Sequence, residues 1–95
     1  MAPKSPHHDV MISLGMKRAE DTPSGDTVYM GSGKEIFNKT HAHMKNNGFS
    51  HYQNKENYYQ HFEKDGHKVL LDMDTDGLVP KVKMTVIKPP KSKIY

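Results

Sequence analysis

The chain has 95 residues, no cysteine, 34% hydrophobic residues and a net charge of +3. This length allows one domain, the lack of cysteine excludes disulfides and thiolate metal sites, and no apolar run approaches the ~20 residues that a membrane span requires. The mean hydropathy of −0.87 predicts a small core, which leaves part of the chain extended or dependent on a partner for its order.

Residues 1–26 are predicted to form an extended or weakly structured N-terminal arm. Residues 1–6 contain two prolines and no hydrophobic periodicity. The hydrophobic residues of 10–16 alternate as in one short strand, but their spacing fits one or two helical turns equally well. A short edge strand is predicted at Thr27–Met30, where the arm gives way to a compact domain.

The segment 33–47 is predicted to be an amphipathic helix, because its apolar residues recur at helical spacing. Ser32 and Glu35 have the spacing of a capping box, in which the two side chains bind amides at the start of a helix. Gly48 is suited to the left-handed position that ends many helices, and Phe49 can then fold back onto the last turn.

Asp65-Gly66 is a strong signal for a two-residue type I′ hairpin turn. The turn joins two predicted strands, Asn57–Glu63 and His67–Met73, and a third strand at Lys81–Lys88 extends the sheet. Counting outward from the turn gives one mostly apolar face and one mostly polar face. The predicted cross-strand pairs are Phe62–Val69, Gln60–Leu71 and Tyr58–Met73 on the first face, and Glu63–Lys68 and Tyr59–Asp72 on the second.

The segment before the turn has a second interpretation. Ser50 and Gln53 also have capping-box spacing and could begin a helix over His51–Lys64. The order helix, turn, helix, hairpin then resembles a winged helix-turn-helix domain over Gly33–Lys88, with Gln53 and Lys55 facing the groove of the nucleic acid. The strand is preferred because asparagines fall in the interior of this alternative helix.

These elements predict an α+β fold in which one amphipathic helix packs on a small antiparallel, three-stranded meander sheet. The compact domain covers 27–88 and lies between the N-terminal arm and a proline- and lysine-rich C-terminal arm at 89–95. Two prolines open that second arm, so it is predicted to be extended and polyproline-like.

Three carboxylates, Asp72, Asp74 and Asp76, precede Gly77 with the spacing of the first half of a calcium-binding loop. Lys83 occupies the position where such a loop supplies its bidentate glutamate. An acidic turn between two strands explains the same residues, so calcium binding is an alternative hypothesis.

The seven histidines show no recognised spacing for metal ligands. His41 and His43 are two residues apart on the predicted helix, so their side chains should point away from each other. The histidines are therefore predicted to lie on the surface, where they can change charge between pH ~5 and 8.

The sequence predicts a protein that is not an enzyme and needs no cofactor, because no nucleophile, base or carboxylate pair has the spacing of a catalytic site. The small core and the two polar ends favour a protein-protein interaction or assembly module. Examples are a small structural or accessory subunit of a larger particle, viral or phage particles included, and a small inhibitor that docks on a host protein.

Nucleic-acid binding by a winged helix-turn-helix domain is the alternative function, and membrane binding is not expected. The oligomeric state stays open. The N-terminus lacks the pattern of a signal peptide, which predicts a cytoplasmic protein or one held within an assembled particle. The residues predicted to contact a protein or nucleic acid are Tyr52, Lys55, Tyr59, Lys83, Lys88, Lys91, Lys93 and Tyr95.

Overall fold

The fold is a six-stranded antiparallel sheet with two helices on one face, as seen in a computed structural model that describes residues 7–54 and 58–88. The strands lie in the order β1-β2-β6-β5-β4-β3. The α+β class is confirmed, but the sheet has twice the predicted number of strands. In chain order the elements are α1 (His8–Ser13), β1 (Lys17–Arg18), β2 (Thr27–Ser32), α2 (Lys34–Asn46), β3 (Ser50–Asn54), β4 (Tyr58–Lys64), β5 (His67–Asp74) and β6 (Lys81–Val86).

The hairpin turn and its register are confirmed. Asp65 has a φ of 52° and Gly66 a φ of 81°, and a type I′ turn requires positive φ at both central residues. All five predicted pairs between β4 and β5 occur, including Phe62 opposite Val69. The strand β6 pairs with β5, so the predicted meander forms the centre of the larger sheet.

The alternative helix over His51–Lys64 is wrong, and the winged helix-turn-helix architecture is wrong with it. Ser50–Asn54 and Tyr58–Lys64 are antiparallel strands that pair with each other. Along β4, Gln60 and Phe62 are buried while their neighbours are not. This period of two is the period of a strand, and it lets β4 bury its apolar face against the helices.

The end of α2 was predicted more accurately than its start. Gly48 has a φ of 83°, and the amide of Phe49 donates to the carbonyl of Met44 at 3.2 Å, as in a Schellman motif. The capping box is wrong, because Gly33 is the N-cap and no side chain caps the helix. Ser32 is instead the last residue of β2.

The N-terminal segment from His7 onward belongs to the folded domain and is not an extended arm. The short helix α1 carries Met11 into the core, and Met16 is buried just before β1. Because β1 pairs with β2, β2 is not the edge strand that Thr27–Met30 was predicted to be. The rest of the predicted N-terminal arm, 1–6, and the predicted C-terminal arm, 89–95, lie outside the described residues.

The hydrophobic core lies between the helices and one face of the sheet. Methionine supplies five of its side chains, and unbranched methionine adapts to irregular spaces. Gln60 is buried among them, and its Oε1 accepts a hydrogen bond of 2.7 Å from Nδ1 of His41, which satisfies the buried amide oxygen. The core residues are Met11, Met16, Tyr29, Phe37, Met44, Phe49, Phe62, Val69, Leu71, Met73, Val82, Met84 and Val86.

Candidate functional site

The second face of the sheet carries neither helix, and we call it the open face. Both helices bury their side chains in the same core, and strand residues alternate between the two faces. Val28 lies on this second face and outside the core cluster, and with only 6% of it exposed it is the most covered residue there. The open face is therefore a distinct surface with side chains of its own.

A row of mostly apolar side chains crosses the open face through five adjacent strands. The row begins on β2 and ends on β3, with one residue from each strand directly opposite the next. Tyr52, at the β3 end, is 71% exposed. We call this set the central row, and its members are Val28, Thr85, Leu70, His61 and Tyr52.

His61 is the histidine of the central row, and its environment is unusual. Its Nε2 is buried without a hydrogen-bond partner among the described atoms. Beside it an open pocket of about 260 Å³ is lined by residues of β3 and β4, among them Tyr52 and Glu63. A buried polar atom without a partner is costly, so this end of the open face gains most from a contact that supplies one.

A second row, two residues along each strand from the central row, contains two of the predicted contact residues, Tyr59 and Lys83. Tyr59 and Met30 are each 37% exposed, and Lys83 and Asp72 lie between them in the sheet. The structure thus places Tyr52, Tyr59 and Lys83 on one surface, although these residues are far apart in the sequence.

Acidic and basic residues of the open face are paired by the register. Three acidic residues each lie directly opposite a lysine on the neighbouring strand. Opposite charges at such positions attract weakly through solvent. The face as a whole is therefore nearly neutral, although the chain is basic. The pairs are Asp72–Lys83, Asp74–Lys81 and Glu63–Lys68.

The other predicted contact residues are not on this surface as far as the structure describes them. The amide of Lys88 donates to the Asp26 carboxylate at 2.7 Å, beyond the end of β6. Four of the residues lie outside the described parts of the chain: Lys55, Lys91, Lys93 and Tyr95.

The predicted calcium residues do not form a loop around one point. Asp72 and Asp74 belong to β5, so the acidic turn starts later than a calcium loop would need. Asp76 uses its backbone amide to donate to a side-chain oxygen of Asp74 at 2.9 Å, which is ordinary turn chemistry. Within 7–54 and 58–88, no three His, Asp or Glu side chains are grouped as a metal site.

Three histidines meet at one end of the core, which the sequence did not indicate. Nε2 of His7 lies 2.9 Å from Nε2 of His67, and Nδ1 of His7 lies 3.4 Å from Nε2 of His43. The ring centres of His7 and His67 are 5.2 Å apart, farther apart than the two Nε2 atoms. The two nitrogens therefore lie on the facing edges of the rings, as in a hydrogen bond between two imidazoles.

Burial within the cluster disfavours protonation of His7 and His43. Burial, followed by the proximity of His67 and His43, lowers the pKa of His7 from 6.5 to about 4. Burial also lowers the pKa of His43. An open pocket of about 430 Å³ beside the cluster is bordered by Lys64 and Asp65. Near neutral pH the imidazole of His7 is therefore uncharged.

The prediction that the histidines lie on the surface is wrong for His7, which is buried, whereas His51 is exposed and the other five are partly exposed. The divergence of His41 and His43 was predicted correctly, because His41 contacts Gln60 while His43 faces His7. Four of the histidines contact partners at the edges of the helix–sheet interface: His7, His41, His43 and His67.

No helix in the described parts of the chain is long and apolar enough to cross a membrane. Comparison with known proteins gives no family: no protein-family model, no curated protein and no solved structure matches the chain.

Proposed function

We propose that the chain is a non-enzymatic protein-binding module and that its contact surface is the open face. The observation that carries the proposal is the central row, which runs through five adjacent strands on the face opposite α1 and α2 and ends at the 71% exposed Tyr52. An apolar and aromatic centre surrounded by charged residues is the composition of a protein interface. The partner would be a protein, such as another subunit of a larger assembly.

Charge distribution favours a protein over a nucleic acid as the partner. Binding to phosphates depends on lysines and arginines whose charge is available for the backbone. On the open face three lysines lie opposite carboxylates, and only Lys17 has no acidic residue opposite it. Tyr52 and Tyr59 could stack on bases, but the face would offer the phosphates little net attraction.

The pockets support a role in binding more than a role in catalysis. In the pocket beside Tyr52, the hydroxyl of Ser50 donates to the carbonyl of Glu63 at 3.0 Å, so it is engaged with backbone and not with a histidine base. In the second pocket, His7 uses both ring nitrogens to contact other histidines. Neither arrangement has the nucleophile–base pair of covalent catalysis.

Two matched leucines test the proposal. Leu70 lies in the central row, whereas Leu78 is fully exposed in the loop between β5 and β6. The full chain would be used to capture proteins from its native source, with Leu70→Lys and Leu78→Lys as variants and circular dichroism to check folding. We expect specific partners to bind the wild type and Leu78→Lys and to be lost with Leu70→Lys, even after nuclease treatment.

Two results would contradict the proposal. One is capture of the same proteins by a folded Leu70→Lys variant, because a lysine in the central row should disrupt an apolar contact. The other is capture that disappears with nuclease and weakens steeply as salt rises, since that is the behaviour of phosphate-driven binding.

A further inference from the structure

Building on the proposed function, we infer that the protein bound by the open face is a second copy of this chain. The two sheets pack face to face around a two-fold axis that runs along the strands, over the boundary between β5 and β6. The central row of each copy then covers the central row of the other. Two-fold dimers are the commonest closed assemblies of identical chains, and this one follows from the pattern of charge on the open face.

The charges of the open face are divided between its two halves. The half made of β1, β2 and β6 carries only basic groups: Lys17, Lys81 and Lys83. The half made of β5 and β4 carries three acidic groups, Asp72, Asp74 and Glu63, together with one lysine, Lys68. A surface with opposite charge on its two halves is complementary to itself when one copy is turned over.

The observed register makes this complementarity specific. Lys83 lies opposite Asp72 within one sheet, so rotation about an axis between their strands places Lys83 of one copy over Asp72 of the other. The same rotation places Lys81 over Asp74. In the central row it places Thr85 of one copy over Leu70 of the other.

The other way of stacking two open faces is unfavourable. A two-fold axis across the strands would place β6 over β6, which brings the lysines of the two copies together. It would also place the acidic strand β5 over itself. Like charges at an interface exclude such an arrangement. The charge pattern therefore selects the axis along the strands.

The open face is large enough for a specific but weak dimer. The five longer strands, of five to eight residues each, lie ~4.8 Å apart and rise ~3.4 Å per residue, so they present roughly 500 Å² per copy. Two such faces bury about 1,000 Å² in total, which is near the lower limit for a biological interface. The dimer should therefore form at high micromolar to millimolar protein and dissociate on dilution.

Charge reversal tests the pairing of the halves. One variant carries Lys81→Asp with Lys83→Asp, and the other carries Asp72→Lys with Asp74→Lys. We expect the wild type to dimerise with rising concentration in sedimentation equilibrium, each variant alone to stay monomeric, and their equimolar mixture to form a heterodimer. Circular dichroism verifies that each variant is folded, and Leu78→Lys is the control that should dimerise normally.

Because the chain has no cysteine, single-cysteine variants can test the orientation directly. Met30 and Tyr59 occupy equivalent distances on either side of the axis. An equimolar mixture of M30C and Y59C should form the mixed disulfide on mild oxidation, at least about tenfold in excess over either homodisulfide. The homodisulfides would have to span three strand spacings, about 14 Å, which exceeds the reach of a disulfide.

Separate outcomes decide the inference and the proposed function. A wild type that stays monomeric at all concentrations, or variants that remain monomeric when mixed, would overturn the second copy as partner. The proposed function would survive either result if a different protein were captured in a Leu70-dependent way. Homodisulfides in preference to the mixed species would overturn the axis along the strands.

Discussion

The two faces of the sheet are built from alternate residues of the same strands, yet one face is buried in the core and the other is left uncovered by the helices. On the covered face, Phe62, Val69 and Leu71 are completely buried beneath α2. On the open face, the residues next to them along β4 and β5 include the Glu63–Lys68 pair and the partly exposed Leu70. The comparison shows that a chain with few apolar residues divides them between a core, which maintains the fold, and a row on the face that α1 and α2 leave uncovered.

The largest expected contrast is between one truncation on each face of β4. Phe62→Ala should reduce the free energy of unfolding by about 3–5 kcal/mol, because it removes a fully buried ring and leaves a cavity. Tyr59→Ala, on the open face, should cost less than about 1 kcal/mol. Urea denaturation at low protein concentration would measure both.

Phe62→Ala could remove most of the stability of a domain this small, so Phe62→Leu serves as a milder companion. It should lose a smaller amount and still unfold cooperatively. Equal losses from Tyr59→Ala and Phe62→Ala would mean that the open face is as tightly packed as the core, and the comparison would fail.

The second contrast concerns the loss of stability at acidic pH, because the histidine cluster lies at the end of the covered face. Burial and the neighbouring histidines lower the pKa of His7 from 6.5 to about 4, so between these values the unfolded chain binds more protons than the folded chain. Stability should therefore fall as the pH decreases from 7 towards 4. With allowance for solvent in the adjoining pocket, we expect a loss of about 1–2 kcal/mol from this group.

The variant His7→Gln tests the assignment, because glutamine has no charge to gain. Urea unfolding of both proteins from pH 7.5 to 4 should give a shallower pH dependence for the variant. His43 and His67 contact His7, and Lys64 and Asp65 border the same pocket, so part of the slope should remain. Parallel curves for the two proteins would show that His7 is not the source of the acid sensitivity.

The third contrast is between two side-chain pairs on the covered face, one in contact across neighbouring strands and one farther apart, and it concerns the energetic coupling within each pair. Phe62 and Val69 face each other across the β4–β5 ladder, so Phe62→Leu and Val69→Ala should not be additive. We expect a coupling of about 0.5–1 kcal/mol in a double-mutant cycle. Phe62 and Val82 lie two strands apart and at different levels, so the same cycle on that pair should be additive within about 0.5 kcal/mol.

The sequence could predict the hairpin because all of its determinants are local. Asp65-Gly66 sets the turn, and the alternation of residues on each side then leaves one register that segregates the faces. The end of α2 was predictable for the same reason, since Gly48 and Phe49 follow it directly. At the start of α2, Ser32 was misread because its backbone is committed to β2, a pairing with distant β6 that overrides the local capping pattern.

The features that the sequence could not predict depend on distant contacts. His7 and His67 are 60 residues apart, and no spacing rule relates them. The short strands β1 and β3 exist through their partners β2 and β4, so their own sequences give weak signals. The open face needed the complete strand order, because Val28 and Leu70 come together only when β6 lies between their strands.

The smallest expected effect is the coupling of the pair next to Phe62 and Val69 on the opposite face. Glu63 and Lys68 are opposite each other in the same ladder, and the double-mutant cycle of Glu63→Gln and Lys68→Gln should give about 0.2–0.5 kcal/mol in dilute protein at low salt. Both side chains are exposed, so added salt should remove this coupling, whereas the coupling of Phe62 to Val69 should not change. If the Glu63–Lys68 coupling survived high salt only at high protein concentration, a second copy would be shielding the pair from solvent. If the coupling survived high salt in dilute protein, the pair would not be open to solvent, which would contradict an open face.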